Sequence, residues 1–135
     1  LFFVFDTNAL ISALILKGSV SRKAFDRALE LGVILLSSAT FGELNAVSQR
    51  EKFRLYVDED ERVQFLLLLL REVEWVEISG DLAVCRDPRD DKFLETALKG
   101  GASYLVSGDP DLLILHPFEG VQSVRPGDFL REVFE

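Results

Sequence analysis

The sequence is poor in several residue types, and each shortage narrows what the protein can be. There is one cysteine, Cys85, so no disulfide framework and no cysteine-built metal cluster can form within the chain. There is one histidine, His116, which excludes any site that needs two imidazoles. Cations are the minority. The 15 Lys and Arg stand against 23 Asp and Glu, a net charge of −8, which argues against a protein that coats nucleic acid through a basic face. It does not argue against a nuclease, because acids gathered round a metal ion are neutralised in use. Long apolar runs are also missing. The longest, Phe65 to Leu70, falls far short of a membrane span. No basic segment followed by a small-residue cleavage site is present, so no secretory leader is expected. With the lone cysteine, this leads to the expectation of a reducing, cytoplasmic setting. There is no internal repeat, linker or low-complexity tract, and the 135 residues are expected to form a single domain over 1–135.

What is present is an alternation of buried strands and amphipathic helices. The apolar run over 2–5 ends at Asp6, the pattern of a strand buried on both faces. Thr7 is placed to cap a helix over 8–16, which Lys17 and Gly18 end. Ser21 is expected to start a second helix, with Ala24, Phe25, Ala28 and Leu29 on one stripe and Gly32 just past its end. A second buried strand spans 33–36, and Ser37 or Ser38 caps a helix to about 48. Residues 49–57 are mixed, and Asp58 then caps a long helix to about 71. The alternating segment 73–78 reads as a third strand. After a loop over 79–89, a helix starts at Asp90 or Asp91 and ends at Gly100 and Gly101, with Phe93, Leu94, Ala97 and Leu98 inward. A fourth strand over 104–106, a short helix or turn over 109–115, a weaker fifth strand over 121–124 and a last helix from Pro126 to Phe134 complete the chain. This predicts an α/β fold in three layers, α/β/α, with a mainly parallel sheet of about five strands and room for one mixed edge.

In such sheets, ligands sit beyond the carboxyl ends of the strands. Acids fall there repeatedly. Asp6 follows the first strand, Glu43 lies on the helix after the second, Asp90 and Asp91 open the helix after the third, and Asp109 and Asp111 follow the fourth. Glu43 borders the stripe of Thr40, Leu44 and Val47. Asp90 stands over Leu94 and Ala97, Asp91 over Leu94 and Leu98, and periodicity does not choose between them. Converging carboxylates repel by about 4 kcal/mol per pair at 4 Å and an effective dielectric near 20. Either some stay protonated or a divalent cation binds. Oxygen ligands without His or Cys favour Mg²⁺ or Mn²⁺, which can activate water against a phosphodiester.

The segments "VFDTNALISAL", "FGEL", "DPRDDKFLETALKGGASYLVSGD" and "DPDLL" come in an order that resembles the PIN-domain ribonucleases, especially the VapC-like toxins of toxin–antitoxin pairs. The resemblance covers nearly the whole chain. It implies a PIN-like fold and a Mg²⁺- or Mn²⁺-dependent endoribonuclease, usually a homodimer, held inactive by a cognate antitoxin. It maps the family's acids to Asp6, Glu43, Asp90 (with Asp91 as the alternative) and Asp109, with Asp111 as an accessory. Asp6, Asp90 and Asp109 are then the metal ligands, joined less certainly by Asp91 and Asp111. Asn8 and Ser107 match supporting polar positions, and Arg86, Arg89 and Lys92 are placed to hold RNA.

Each acid alone has an ordinary structural explanation. Asp6 or Asp90 can be an N-cap, Asp109 and Asp111 turn residues, and Glu43 a solvated helix residue. All would have to hold together at four successive strand ends. Two other functions compete. A phosphatase with an aspartate nucleophile after the first strand would carry a second Asp two residues on, where this chain has Asn8. A non-catalytic signalling or antitoxin-binding domain with a metal-filled acidic pocket would usually need a paired acid and a late lysine, and neither is evident. Cys85 and His116 are read as structural.

Overall fold

A computed structural model describes residues 1–133. In chain order the elements are β1 (Phe2–Phe5), α1 (Thr7–Ile15), α2 (Val20–Leu31), β2 (Val33–Leu36), α3 (Ser38–Ser48), a 3-10 turn (Glu51–Phe53) and α4 (Glu59–Glu72). Then come β3 (Glu74–Trp75), a second 3-10 turn (Pro88–Asp90), α5 (Asp91–Gly100), β4 (Tyr104–Val106), α6 (Pro110–Leu113), β5 (Gln122–Val124) and α7 (Pro126–Val133). The predicted end of the last helix at Phe134 lies outside the described residues.

The strands form one sheet in the order β3-β2-β1-β4-β5. All four pairings are parallel, so the mixed edge that the sequence left open is absent among the described residues. Alternation along the strands separates the two faces. Phe3 and Phe5 of β1, with Ile34, Leu36, Val106 and Val124, pack against α1, α2, α4 and α7. Val4, Leu35 and Leu105 point the other way, onto Phe93, Leu94 and Ala97 of α5 and Leu112 of α6. The result is the three-layer α/β/α arrangement. Among the described residues no helix is long and apolar enough to cross a membrane.

Several boundaries differ from expectation, and three have a clear local reason. α1 is capped by Asp6, whose Oδ1 accepts from the Ala9 N–H at 2.8 Å, rather than by Thr7. The Thr7 hydroxyl turns instead to Glu43. α2 starts at Val20, one residue early, because Ser19 Oγ accepts from the Arg22 N–H at 3.1 Å. The third strand, expected over 73–78, shrinks to Glu74–Trp75. Its partner β2 stops at Leu36 because Ser37 caps α3, so residues beyond Val76, whose N–H still reaches the Leu36 carbonyl at 2.8 Å, have no strand to pair with.

Candidate active site

The centre of the site is fixed by sheet register. In the β1–β4 pairing Phe5 lies opposite Val106. The next residues, Asp6 and Ser107, therefore emerge side by side at the carboxyl edge. The Asp6 N–H donates to the Val106 carbonyl at 3.1 Å. Ser107 Oγ donates its proton to Asp6 Oδ2 and itself accepts from the Asp109 N–H at 2.9 Å. Ser107 thus ties the first acid to the fourth. Asp109 in turn caps α6, its Oδ1 taking the Asp111 N–H at 2.9 Å.

The remaining acids arrive from two helices. Glu43 comes from α3 and is held at both oxygens. Oε2 accepts from the Thr7 hydroxyl, and Oε1 pairs with Lys92 Nζ at 2.8 Å. Asp90 ends the 3-10 turn that leads into α5. Asp87 starts that turn, with its Oδ1 accepting from the Arg89 N–H at 2.9 Å. Asp6, Thr7, Asn8, Glu43, Asp87, Asp90 and Asp109 line one pocket of about 200 Å³, with Arg50 and Arg89 at its edge.

Electrostatics in this pocket are strained. Burial pushes the Asp6 carboxyl up from its ordinary 3.8 to about 6, against the lowering effect of its Ser107 and Ala9 donors; the charges of Asp109 and Glu43 add to the rise. Burial also pushes Asp90 up, to about 7, reinforced by a hydrogen bond shared with Asp109 and by the charges of Asp109, Asp87 and Asp6. Asp90 Oδ2 is buried and has no hydrogen-bond partner among the described residues. One carboxylate oxygen from each of Asp90, Asp109 and Asp111 lies within 4.8 Å of the others. Two full charges at that spacing repel by about 3 kcal/mol at an effective dielectric near 20. Three hard oxygen donors fit Mg²⁺ or Mn²⁺, which take carboxylates and keep several waters.

The PIN domain family matches residues 3–111. An uncharacterized protein of Methanocaldococcus jannaschii, MJ1680, is 30% identical over 114 residues, which are 83% of this chain and 73% of that protein. The chain belongs to the PIN-domain family. Members of this family are generally nucleases. Two solved structures share the PIN fold at low identity. A chain of VapBC2 from Rickettsia felis, solved bound to a DNA fragment from their promoter, superposes with a TM-score of 0.62 at 15% identity, covering 91% of this chain and 98% of that one. PAE2754 from Pyrobaculum aerophilum gives 0.63 at 17% identity over 100% of this chain and 91% of that one.

Within this PIN domain, the predicted acids do not all land together. Asp6, Glu43, Asp90 and Asp109 share the pocket, and Asp111 joins Asp90 and Asp109. Asp91 does not converge with them. Its Oδ1 accepts the N–H groups of Val84 at 3.0 Å and Cys85 at 2.8 Å, so it pins the 79–87 loop. Burial raises its pKa, but those donors outweigh burial and hold the carboxyl below its ordinary value. Asn8 is exposed at the pocket wall, and Ser107 is fully buried at its floor. The three predicted RNA-holding cations are each tied to an acid: Lys92 to Glu43, Arg89 to Asp87 at 2.9 Å, and Arg86 to Asp111 at 3.5 Å.

Sequence reasoning missed Asp87, Thr7 and Arg50. Asp87 carried a signal as the first of the three acids in "RDPRDD", but it falls in the part read as loop, before the helix start at Asp90 or Asp91. Arg50 had none, because it stands just past the α3 terminus in a stretch without period. A larger cavity of about 840 Å³, lined by Trp75 and Ile78 among others, lies beyond Lys92. Its two buried acids are already used: Asp91 as above, and Glu95 by the Ser79 and Gly80 N–H groups at 2.7 and 3.1 Å. The smaller pocket is the one whose acids converge. Burial pushes the Cys85 thiol up to about 12, with a hydrogen bond to Asp91 adding to it, which favours the neutral thiol.

Proposed function

We propose that this PIN domain is a Mg²⁺- or Mn²⁺-dependent endoribonuclease, the toxin of a toxin–antitoxin pair, acting as a single unit over 1–135. The observation that carries the reading is the orphaned, buried Oδ2 of Asp90 in a pocket shared with Asp6, Glu43 and Asp109. Asp90, Asp109 and Asp111, with Asp6 beside them, would hold the ion. Bound there, it supplies a Lewis acid that activates water and offsets the charge of the phosphate.

The protein's own groups do the positioning. Ser107 holds Asp6 Oδ2 by donating its hydroxyl proton and fixes the Asp109 backbone through its lone pair. Thr7 and Lys92 lock the Glu43 carboxylate at the pocket wall, where it can accept a hydrogen bond from the attacking water and aim its oxygen at phosphorus. In the hydrolysis a bond forms between the water oxygen and phosphorus, one ester P–O bond breaks, and the leaving alkoxide takes up a proton. Asn8, exposed at the wall, is placed to donate to the substrate.

The likeness to a VapBC2 chain supports the toxin reading and a cognate antitoxin; a homodimer and a cytoplasmic location complete the proposal. Val63 and Leu67, one turn apart on α4, are exposed and suit a protein partner. The test is direct. Single-stranded RNA is incubated with the native chain and with Asp6→Asn, in Mn²⁺ and in EDTA. Cutting that needs the metal and vanishes in the variant is the expected result. Equal weak cutting by both proteins overturns the proposal and marks a contaminant. An acid-stable phosphate adduct on Asp6 would indicate the phosphatase chemistry instead.

A further inference from the structure

We infer that Arg50 is the phosphate-positioning residue of this site, its guanidinium gripping a phosphodiester of the RNA strand at the mouth of the acid pocket. The inference rests on the nuclease reading above and adds a residue that neither the sequence motifs nor the acid cluster supply.

The argument starts from charge. Asp6, Glu43, Asp87, Asp90 and Asp109 all line the pocket. A substrate phosphate brings a further negative charge to the same place, and where the bound ion does not meet it an uncommitted side-chain cation is needed to hold it. Four cations stand at or beside the pocket, and three are already taken. Lys92 is only 19% exposed, paired to Glu43 Oε1 at 2.8 Å, and also donates to the Arg89 carbonyl. Arg89 forks Asp87, with Nε at 3.2 Å and Nη2 at 2.9 Å, while the Arg89 N–H meets the same carboxylate at 2.9 Å. Arg86 Nε stands 3.5 Å from Asp111 Oδ1. For any of these to reach a phosphate, an existing ion pair must first loosen and leave an acid of the site unpaired. Among the described residues, no side-chain hydrogen bond or ion pair is formed by Arg50.

Its backbone, in contrast, is held. The Arg50 N–H donates to the Val47 carbonyl at 3.1 Å, and the Arg50 carbonyl accepts from the Phe53 N–H at 3.0 Å. The residue caps the Glu51–Phe53 turn with φ −63° and ψ 137°. Glu43, Val47 and Arg50 all line the pocket and are spaced by four and three residues, so one side of α3 and its exit delivers both an acid and a cation to the rim. The carboxyl end of a helix also favours a cation there. A fixed attachment with an uncommitted guanidinium suits bidentate phosphate contact, which a planar fork makes better than an ammonium.

The experiment measures binding of a fluorescent single-stranded oligoribonucleotide to Asp6→Asn protein, which does not cut it, across a salt series in Mg²⁺. Adding Arg50→Ala is expected to weaken binding about tenfold. It should also lower the slope of log K against log salt by about 0.7, the loss of one phosphate contact on a single strand. Arg50→Lys should keep the slope and recover part of the affinity. Arg54→Ala, away from the pocket, should change neither. In the chain with Asp6 intact, Arg50→Ala should raise KM for RNA cleavage about tenfold and leave kcat within about threefold. Unchanged affinity and slope in Arg50→Ala overturn the inference while the nuclease reading stands. Failure of the native chain to cut RNA in Mn²⁺ overturns the nuclease reading, and Arg50 falls with it.

Discussion

Replacing Asp6 by Asn should make the metal-free protein more stable, although the residue caps α1. The reason is the buried charge. Asp6 is 4% exposed, and burial raises its carboxyl from 3.8 to about 6. At pH below 3.8 the folded and unfolded chains both carry the proton and nothing is lost. As pH rises from 3.8 toward 6 the unfolded chain releases a proton that the folded chain keeps, so stability falls across that window and the full penalty applies above it. A shift of about two pH units corresponds to about 3 kcal/mol. Asn is as good an N-cap as Asp, so the contact with the Ala9 N–H survives. The amide NH₂ can donate to Ser107 Oγ where the carboxylate accepted, at the loss of one charge-assisted bond. The net gain at pH 8 in EDTA should be about 1–3 kcal/mol, or about 3–10 °C in Tm for a chain of this size. It should vanish near pH 4. Saturating Mn²⁺ should reverse the order, because only the native chain gains binding energy from the ion. Thermal melts of both proteins at pH 4 and 8, with EDTA and with Mn²⁺, read all four values. If Asp6→Asn melts below its parent at pH 8 in EDTA, the strained-acid account is wrong and Asp6 is a structural cap.

Other perturbations separate the site from its scaffold. Asp90 holds its proton up to about pH 7, so Mn²⁺ must displace it below that pH. Calorimetry at pH 6 in two buffers of different ionisation enthalpy should report about one proton released per ion, falling toward none at pH 8; release that does not change with pH would contradict it. Glu95 takes the Ser79 and Gly80 amides, and burial is outweighed by these donors so that its carboxyl lies below its ordinary value. Glu95→Gln should lower stability by about 1–2 kcal/mol and raise hydrogen exchange over 79–85 at neutral pH; the native chain should lose the same protection as acid protonates Glu95. Phe129 is fully buried and packs edge-on against Phe3, Phe5 and Tyr104 at centroid distances of 5.3, 6.0 and 5.4 Å. Phe129→Ala should cost about 3–5 kcal/mol in urea unfolding without altering Mn²⁺ affinity in the folded protein.

Much of the fold was legible in local pattern. The runs over 2–5, 33–36 and 104–106 are apolar on both faces because each strand is covered by helices above and below, and such runs leave little choice of structure. Asp58, read as the cap of the long helix, does cap it, and the structure adds Glu61 to form a capping box. Boundaries were harder. Whether Asp6 or Thr7 caps α1 depends on where the Thr7 hydroxyl finds a better acceptor, and that acceptor, Glu43, is 36 residues away. The third strand was overextended because its length is set by β2, not by its own alternation.

The amino-acid sequence by itself determined that acids follow the strands and that the strands belong to a parallel α/β sheet, because residue type and period are local properties. Only the tertiary structure decided which acids meet. Asp90 and Asp91 are neighbours with similar periodicity, yet one enters the pocket with an unpartnered oxygen and the other is consumed by the amides of Val84 and Cys85. The same holds for the cations. Arg86, Arg89 and Lys92 looked available along the chain and are each bound to an acid, whereas Arg50 forms no ion pair among the described residues. Charges interact through distance in space, and the register of β1 on β4 and the packing of α3 beside α5 set those distances.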